Sequence, residues 1–132
     1  MIKLLKFCVI LFSLFFSSAL NAVEPENIMV IEVEGEANGV IEIELLPNIA
    51  PLHVERIKIL ARDGLYNGVV FHRVIDGFMA QTGDVKFGKI EGYKRRYAGQ
   101  GGSNYPDLDA EFSTIKYEEG TVGMARAQNP NS

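Results

Sequence analysis

Cysteine is almost missing from this 132-residue chain, with Cys8 the only one. It lies inside an apolar N-terminal run, so the chain beyond that run has no disulfide and no thiol nucleophile. Histidine is nearly as scarce. With only His53 and His72 available, a zinc site would need carboxylates, and none fall at a recognisable ligand spacing. A cationic excess is missing too: the formal net charge is −4, which argues against nucleic acid as a partner. The one basic run, Lys94, Arg95 and Arg96 ahead of Tyr97, reads as a solvated loop face. No serine sits in a GxSxG elbow, which removes hydrolysis through an activated serine. The glycine-rich GQGGS beginning at Gly99 lacks the lysine and the following helix of a phosphate-binding loop.

The opening MIKLLKFCVILFSLFFSSALNA has Lys3 and Lys6 ahead of an apolar core, with small residues near Ala22, the layout of a secretory signal peptide. The apolar core from Phe7 to Phe16 is well short of the ~20 residues a membrane-spanning helix needs. Residues 1–22 are therefore expected to be removed on export, leaving a periplasmic or secreted protein with no stable membrane anchor. Residues 23–132, about 110 in number, suffice for one small domain with a single core.

From Ile28 to Leu45, Ile31 and Val33 alternate with Glu32 and Glu34, then Ile41, Ile43 and Leu45 with Glu42 and Glu44. Such alternation predicts two strands with one apolar face, and Asn38–Gly39 between them predicts a tight turn through positive φ. Pro51 then opens a predicted helix carrying Val54, Ile57, Leu60 and Ala61 on one face, with Glu55 near its positive end and Gly64 to stop it. This helix is expected to lie as a lid on one end of the sheet, with His53 as an ordinary surface residue of its first turn. Val69–Val74 and Phe78–Thr82 read as a second strand pair turned at Asp76 and Gly77. A long glycine-dense loop is expected from Gly83 to Pro106, a return to order at Glu111–Ser113, and a further strand at Gly120–Ala127.

The run Tyr66–Gly83, YNGVVFHRVIDGFMAQTG, places an arginine, a glutamine and several apolar side chains on two short strands. Taken alone, these residues also fit an ordinary domain, with Phe71, Phe78 and Met79 as core, Arg73 in a surface ion pair and Gln81 at a strand edge. In its order and spacing the run resembles the signature of the cyclophilin-type peptidyl-prolyl isomerases. The resemblance implies catalysis by Arg73 and a proline pocket lined by Phe78, Met79 and Gln81, with His72 in support. It also gives the residues a chemistry. The barrier to rotation about an X-Pro bond, ~18–20 kcal/mol, arises from amide resonance. A fixed cationic donor aimed at the prolyl nitrogen favours the twisted state, and a guanidinium is such a donor at any working pH. Phe78 and Met79 can hold the ring, and Gln81, two residues beyond Met79 on the same strand face, can grip the substrate backbone.

A second match, GMARA, is similar to the family strand that hydrogen-bonds substrate, which places Ala125 and Arg126 in the site. Many members have asparagine where Arg126 stands, a change expected to affect preference more than rate; Asp76 replaces a proline often seen in the turn. The resemblance implies a mainly β fold, a closed antiparallel barrel of eight strands capped by helices, of which about five strands are expected here. It further implies proline-containing polypeptides as partners, affinity for cyclosporin-like cyclic peptides, a monomer and no cofactor. The family pattern continues past NPNS into a stretch resembling SQFFI, then an aromatic, a leucine and a histidine, so the reading frame is expected to be incomplete at Ser132. Residues 23–132 alone are accordingly expected not to fold cooperatively. A non-catalytic proline-peptide-binding or chaperone-like module of the same fold, or an inactive fragment, is the alternative reading.

Overall fold

The computed structural model describes residues 24–131, and the expected signal segment at 1–22 lies outside them. After a 3-10 turn at Pro25–Asn27 the chain forms strands β1 (Ile28–Val33) and β2 (Gly39–Glu44), helix α1 (Pro51–Arg62), and strands β3 (Arg73–Ile75) and β4 (Met79–Gln81). The alternation of isoleucine and glutamate becomes an antiparallel hairpin with Ile31 opposite Ile41 and Met29 opposite Ile43. Those side chains share one face because residues two apart on a strand point the same way. The turn differs from expectation. Positive φ falls at Gly35, not at Asn38–Gly39. Asn38 instead closes the loop with its side chain, accepting from the Gly35 amide at 3.2 Å and donating to the Gly35 carbonyl at 3.3 Å. A carboxamide that can both donate and accept makes a strained Asn38 backbone unnecessary.

Helix α1 begins at Pro51, where the missing amide hydrogen costs nothing. It ends in a Schellman motif: Gly64, at φ +67°, follows the cap residue Asp63, Leu65 donates to the Leu60 carbonyl and Gly64 to that of Ala61. Val54 and Leu60 are buried, while Ala61, expected on the same face, is exposed. Lys58 on this helix donates to the Asn27 side chain at 2.6 Å and lies 3.6 Å from Glu26, tying α1 to the start of β1.

Strands β3 and β4 form a second two-stranded sheet, separate from the first. The described residues thus hold four strands, not five, and no closed barrel. The expected strand at Gly120–Ala127 is irregular and exposed, since no neighbouring strand takes up its main-chain groups. The first part of the expected Val69–Val74 strand makes only a single bridge, Val69 to Lys89. Val54 and Leu60 are the only buried apolar side chains among the described residues, and Val40, Val74, Ile90, Phe112 and Val122 are each at least 63% exposed. No helix among the described residues is long and apolar enough to cross a membrane.

Candidate functional site

Register decides which side chains of the second hairpin meet. Arg73 stands directly opposite Gln81, and Ile75 opposite Met79, so Arg73, Ile75, Met79 and Gln81 share one face while Val74 and Ala80 take the other. Directly opposed side chains have Cβ atoms about 4.5–5.5 Å apart. The sequence-predicted arginine, methionine and glutamine are therefore brought together, with the guanidinium exposed and Met79 and Gln81 half-buried.

Phe78 differs from expectation. It lies in the loop before β4 and donates its amide to the Ile75 carbonyl at 3.1 Å, with Gly77 at φ +67° making the bend. Three residues are needed to reverse the chain here, and Phe78 is the third; the residue is 76% exposed and is no part of a core. Ala125 and Arg126 are not joined to the hairpin by any hydrogen bond among the described residues. The Arg126 guanidinium instead donates to the carbonyls of Ala127 and Gln128 and lies 5.8 Å from the centre of the Phe112 ring.

His72, the residue before Arg73, is half-buried, and neither of its ring nitrogens makes a hydrogen bond among the described residues. Its ring packs on Gly99 so closely that a Cβ there would come within 2.8 Å of Nε2. Gly99, at φ +89°, is thus required twice over, by its backbone and by its neighbour.

The same glycine leads to a feature the sequence reading missed. Asp84, only 3% exposed, accepts four main-chain N–H bonds, from Lys86 and Phe87 on Oδ1 at 2.9 and 2.8 Å and from Gly99 and Gly101 on Oδ2 at 2.7 and 3.1 Å. Burial pushes this carboxyl up, but the four donors outweigh it and hold it below the usual range. Gly101 lies against the carboxylate, where a Cβ would stand 2.5 Å from Oδ1. The GQGGS segment does cradle an anion, and the anion is the chain's own. The signal that could have found it is an aspartate just after the signature paired with a distant glycine cluster.

A second missed pair joins His53 to Glu111. The Glu111 carboxylate accepts the Leu52 and His53 amides, each at 3.0 Å, and Oε2 lies 2.6 Å from His53 Nδ1. Burial raises the Glu111 carboxyl, but the His53 ring and the two amides outweigh it and leave the group depressed. Glu111, not Glu55, serves the positive end of α1, whose Ala50 cap has no side-chain acceptor. Among the described residues no cluster of three or more His, Cys, Asp or Glu is placed to hold a metal ion.

Residues 28–132 match the family model described as cyclophilin type peptidyl-prolyl cis-trans isomerase. The chain belongs to this family. A probable peptidyl-prolyl cis-trans isomerase of Brucella suis is 57% identical over 113 residues, covering 85% of this chain and 56% of that protein. A peptidyl-prolyl cis-trans isomerase of Arabidopsis thaliana is 35% identical over 109 residues, 83% of this chain and 47% of the relative. The chain thus spans about half the length of these curated relatives. Among solved structures, a cyclophilin of Hirschia baltica superposes with a TM-score of 0.51 at 40% identity, over 68% of this chain and 29% of the other. The cyclophilin-type fold, mostly strand with few helices, is accordingly the frame in which the hairpin sits.

Proposed function

We propose that this cyclophilin-type chain carries the proline-gripping part of a peptidyl-prolyl cis-trans isomerase. The single observation behind the proposal is the register that sets Arg73 opposite Gln81 on a face shared with Met79, inside a family match running from residue 28 to residue 132. In this reading Met79 holds the proline ring and the exposed Phe78 ring closes on it. The Gln81 carboxamide bonds the substrate backbone and fixes the axis about which the X-Pro bond rotates. Arg73 then donates to the prolyl nitrogen as its lone pair localises, a bond stronger in the twisted state than in either planar one. No proton is transferred and no cofactor is used. His72 supports Arg73, and Ala125 and Arg126 contact substrate through main-chain atoms.

The wider reading rests on the family. It comprises a signal peptide at 1–22, a cyclophilin domain from residue 23, a closed eight-stranded barrel, a monomer in the periplasm or outside the cell, and exported proline-containing polypeptides as clients. Cyclosporin-like cyclic peptides compete for the same face. The test is an X-Pro isomerisation assay on the intact protein beside Arg73→Ala. The variant loses on the order of 10²–10³ in rate while still binding peptide. A variant as fast as the parent removes Arg73 from the mechanism.

A further inference from the structure

Between Lys86 and Arg96 the chain carries five cations and one acid, Glu91, although its overall charge is −4. Lys89 is consumed inside the fold, donating to the carbonyls of Leu65 and Asn67 at 2.6 Å each. The other four, Lys86, Lys94, Arg95 and Arg96, are exposed. The ion pairs among the described residues are His53–Glu111 and Lys58–Glu26, so none of these four has an acidic partner there. Three of them are stationed on aromatic rings. Lys86 and Lys94 lie 5.2 and 5.9 Å from the centre of the Phe87 ring, Arg96 lies 5.9 Å from that of Tyr97, and the two rings are 5.6 Å apart. Cations gathered on rings keep their charge and lose less freedom when an anion arrives.

The loop's place in the fold gives the cluster its context. Asp84 binds the amides of Gly99 and Gly101, and Gly99 packs on His72, the residue before Arg73. The Lys94 amide bonds the Phe87 carbonyl, and the Ala98 amide bonds that of Lys94, so the basic turn is built onto the same clamp. We propose that this loop docks an acidic stretch of the client polypeptide, next to the proline held by the β3–β4 hairpin. The inference rests on the isomerase reading and adds a substrate class to it: clients with Asp or Glu close to the proline. A long polyanion fits less well, because Glu32, Glu34, Glu36, Glu42 and Glu44 crowd the first hairpin and repel it. Four cations on one short loop match a few carboxylates and speed their encounter.

The experiment uses the intact protein and two labelled peptides that share one X-Pro core. In one the flank is Asp and Glu, in the other Asn and Gln. Exchange NMR reads isomerisation, and fluorescence anisotropy reads binding. At low salt the acidic peptide has a kcat/KM and an affinity about tenfold above the neutral one, and high salt erases the difference. A protein carrying Lys94→Gln, Arg95→Gln and Arg96→Gln loses the preference and turns over the neutral peptide at the parent rate. Equal handling of the two peptides by the parent overturns the proposal, as does a preference that survives the triple substitution. So does tighter binding of an oligonucleotide or of anionic vesicles than of the acidic peptide. If neither peptide is isomerised, the isomerase reading fails, and anisotropy still decides the docking: tighter binding of the acidic peptide supports it, and equal binding ends it.

Discussion

Glu111 Oε2 lies 2.6 Å from Nδ1 of His53, a partner 58 residues away in sequence, and the same carboxylate holds the first free amides of α1. An ionised carboxylate only accepts, so the proton sits on Nδ1 and the ring donates. One side chain therefore caps the helix, satisfies a histidine and fixes the chain after the long loop.

Removing that carboxylate should loosen all three. Glu111→Ala is expected to lower stability by about 1–2 kcal/mol, with Glu111→Gln recovering part of it. Urea denaturation of the intact protein measures the loss. If the midpoint does not move, the cap is ornamental.

Acid should act on Glu111 and Asp84 together. Both are depressed from their ordinary values of 4.5 and 3.8, so the unfolded chain takes up protons first as pH falls. Their stabilisation is complete above those values and is lost as pH drops through the lower folded ones. Asp84→Asn keeps one acceptor oxygen but sets an amide group against N–H donors, and should cost roughly 2–3 kcal/mol at neutral pH. Stability measured across the acid range should be flatter in this variant than in the parent; an equally steep profile would contradict the role given to Asp84.

At Gly101 the constraint is steric. Its φ is not positive, yet an added Cβ would stand 2.5 Å from Asp84 Oδ1, 2.7 Å from Lys86 Cβ and 2.9 Å from the Phe87 ring. Gly101→Ala should therefore destabilise by about 1–3 kcal/mol. Exchange protection of the Gly99 and Gly101 amides should fall with it; unchanged protection would place the methyl group in open space.

Residues 23–132 made alone should melt broadly and with little heat. Their buried apolar side chains are few, and side chains as large as Phe112 and Tyr117 are 75% and 76% exposed. Calorimetry showing one sharp, reversible transition would refute this.

Local chemistry was legible in the sequence. Pro51 and Gly64 mark the ends of α1, Asp76 and Gly77 mark the second turn, and the isoleucine and glutamate alternation marks the first hairpin. What failed needed a partner that spacing cannot reveal. The Gly120–Ala127 segment has strand-like residues but no strand beside it, and Phe78 is drawn into the turn by the length the reversal requires. Arg73, Met79 and Gln81 were readable because a two-residue period and one register decide their face. Asp84 and Glu111 were not, because Glu111 draws all its donors, and Asp84 the two glycine amides that close its clamp, from segments that only the folded chain brings near.

The Asp84 clamp separates two kinds of sequence. Both ends of the loop are fixed at one buried carboxylate, and Gly88 and Ile90 are bonded to Val70 and Gly68, so the turn beyond them, from Glu91 to Tyr97, can change in length, charge or aromatic content without pulling on the hairpin. Such a loop is a replaceable part on a constant mount. Exchanging it for the loop of another member should transfer client preference while leaving the rotation chemistry where it was.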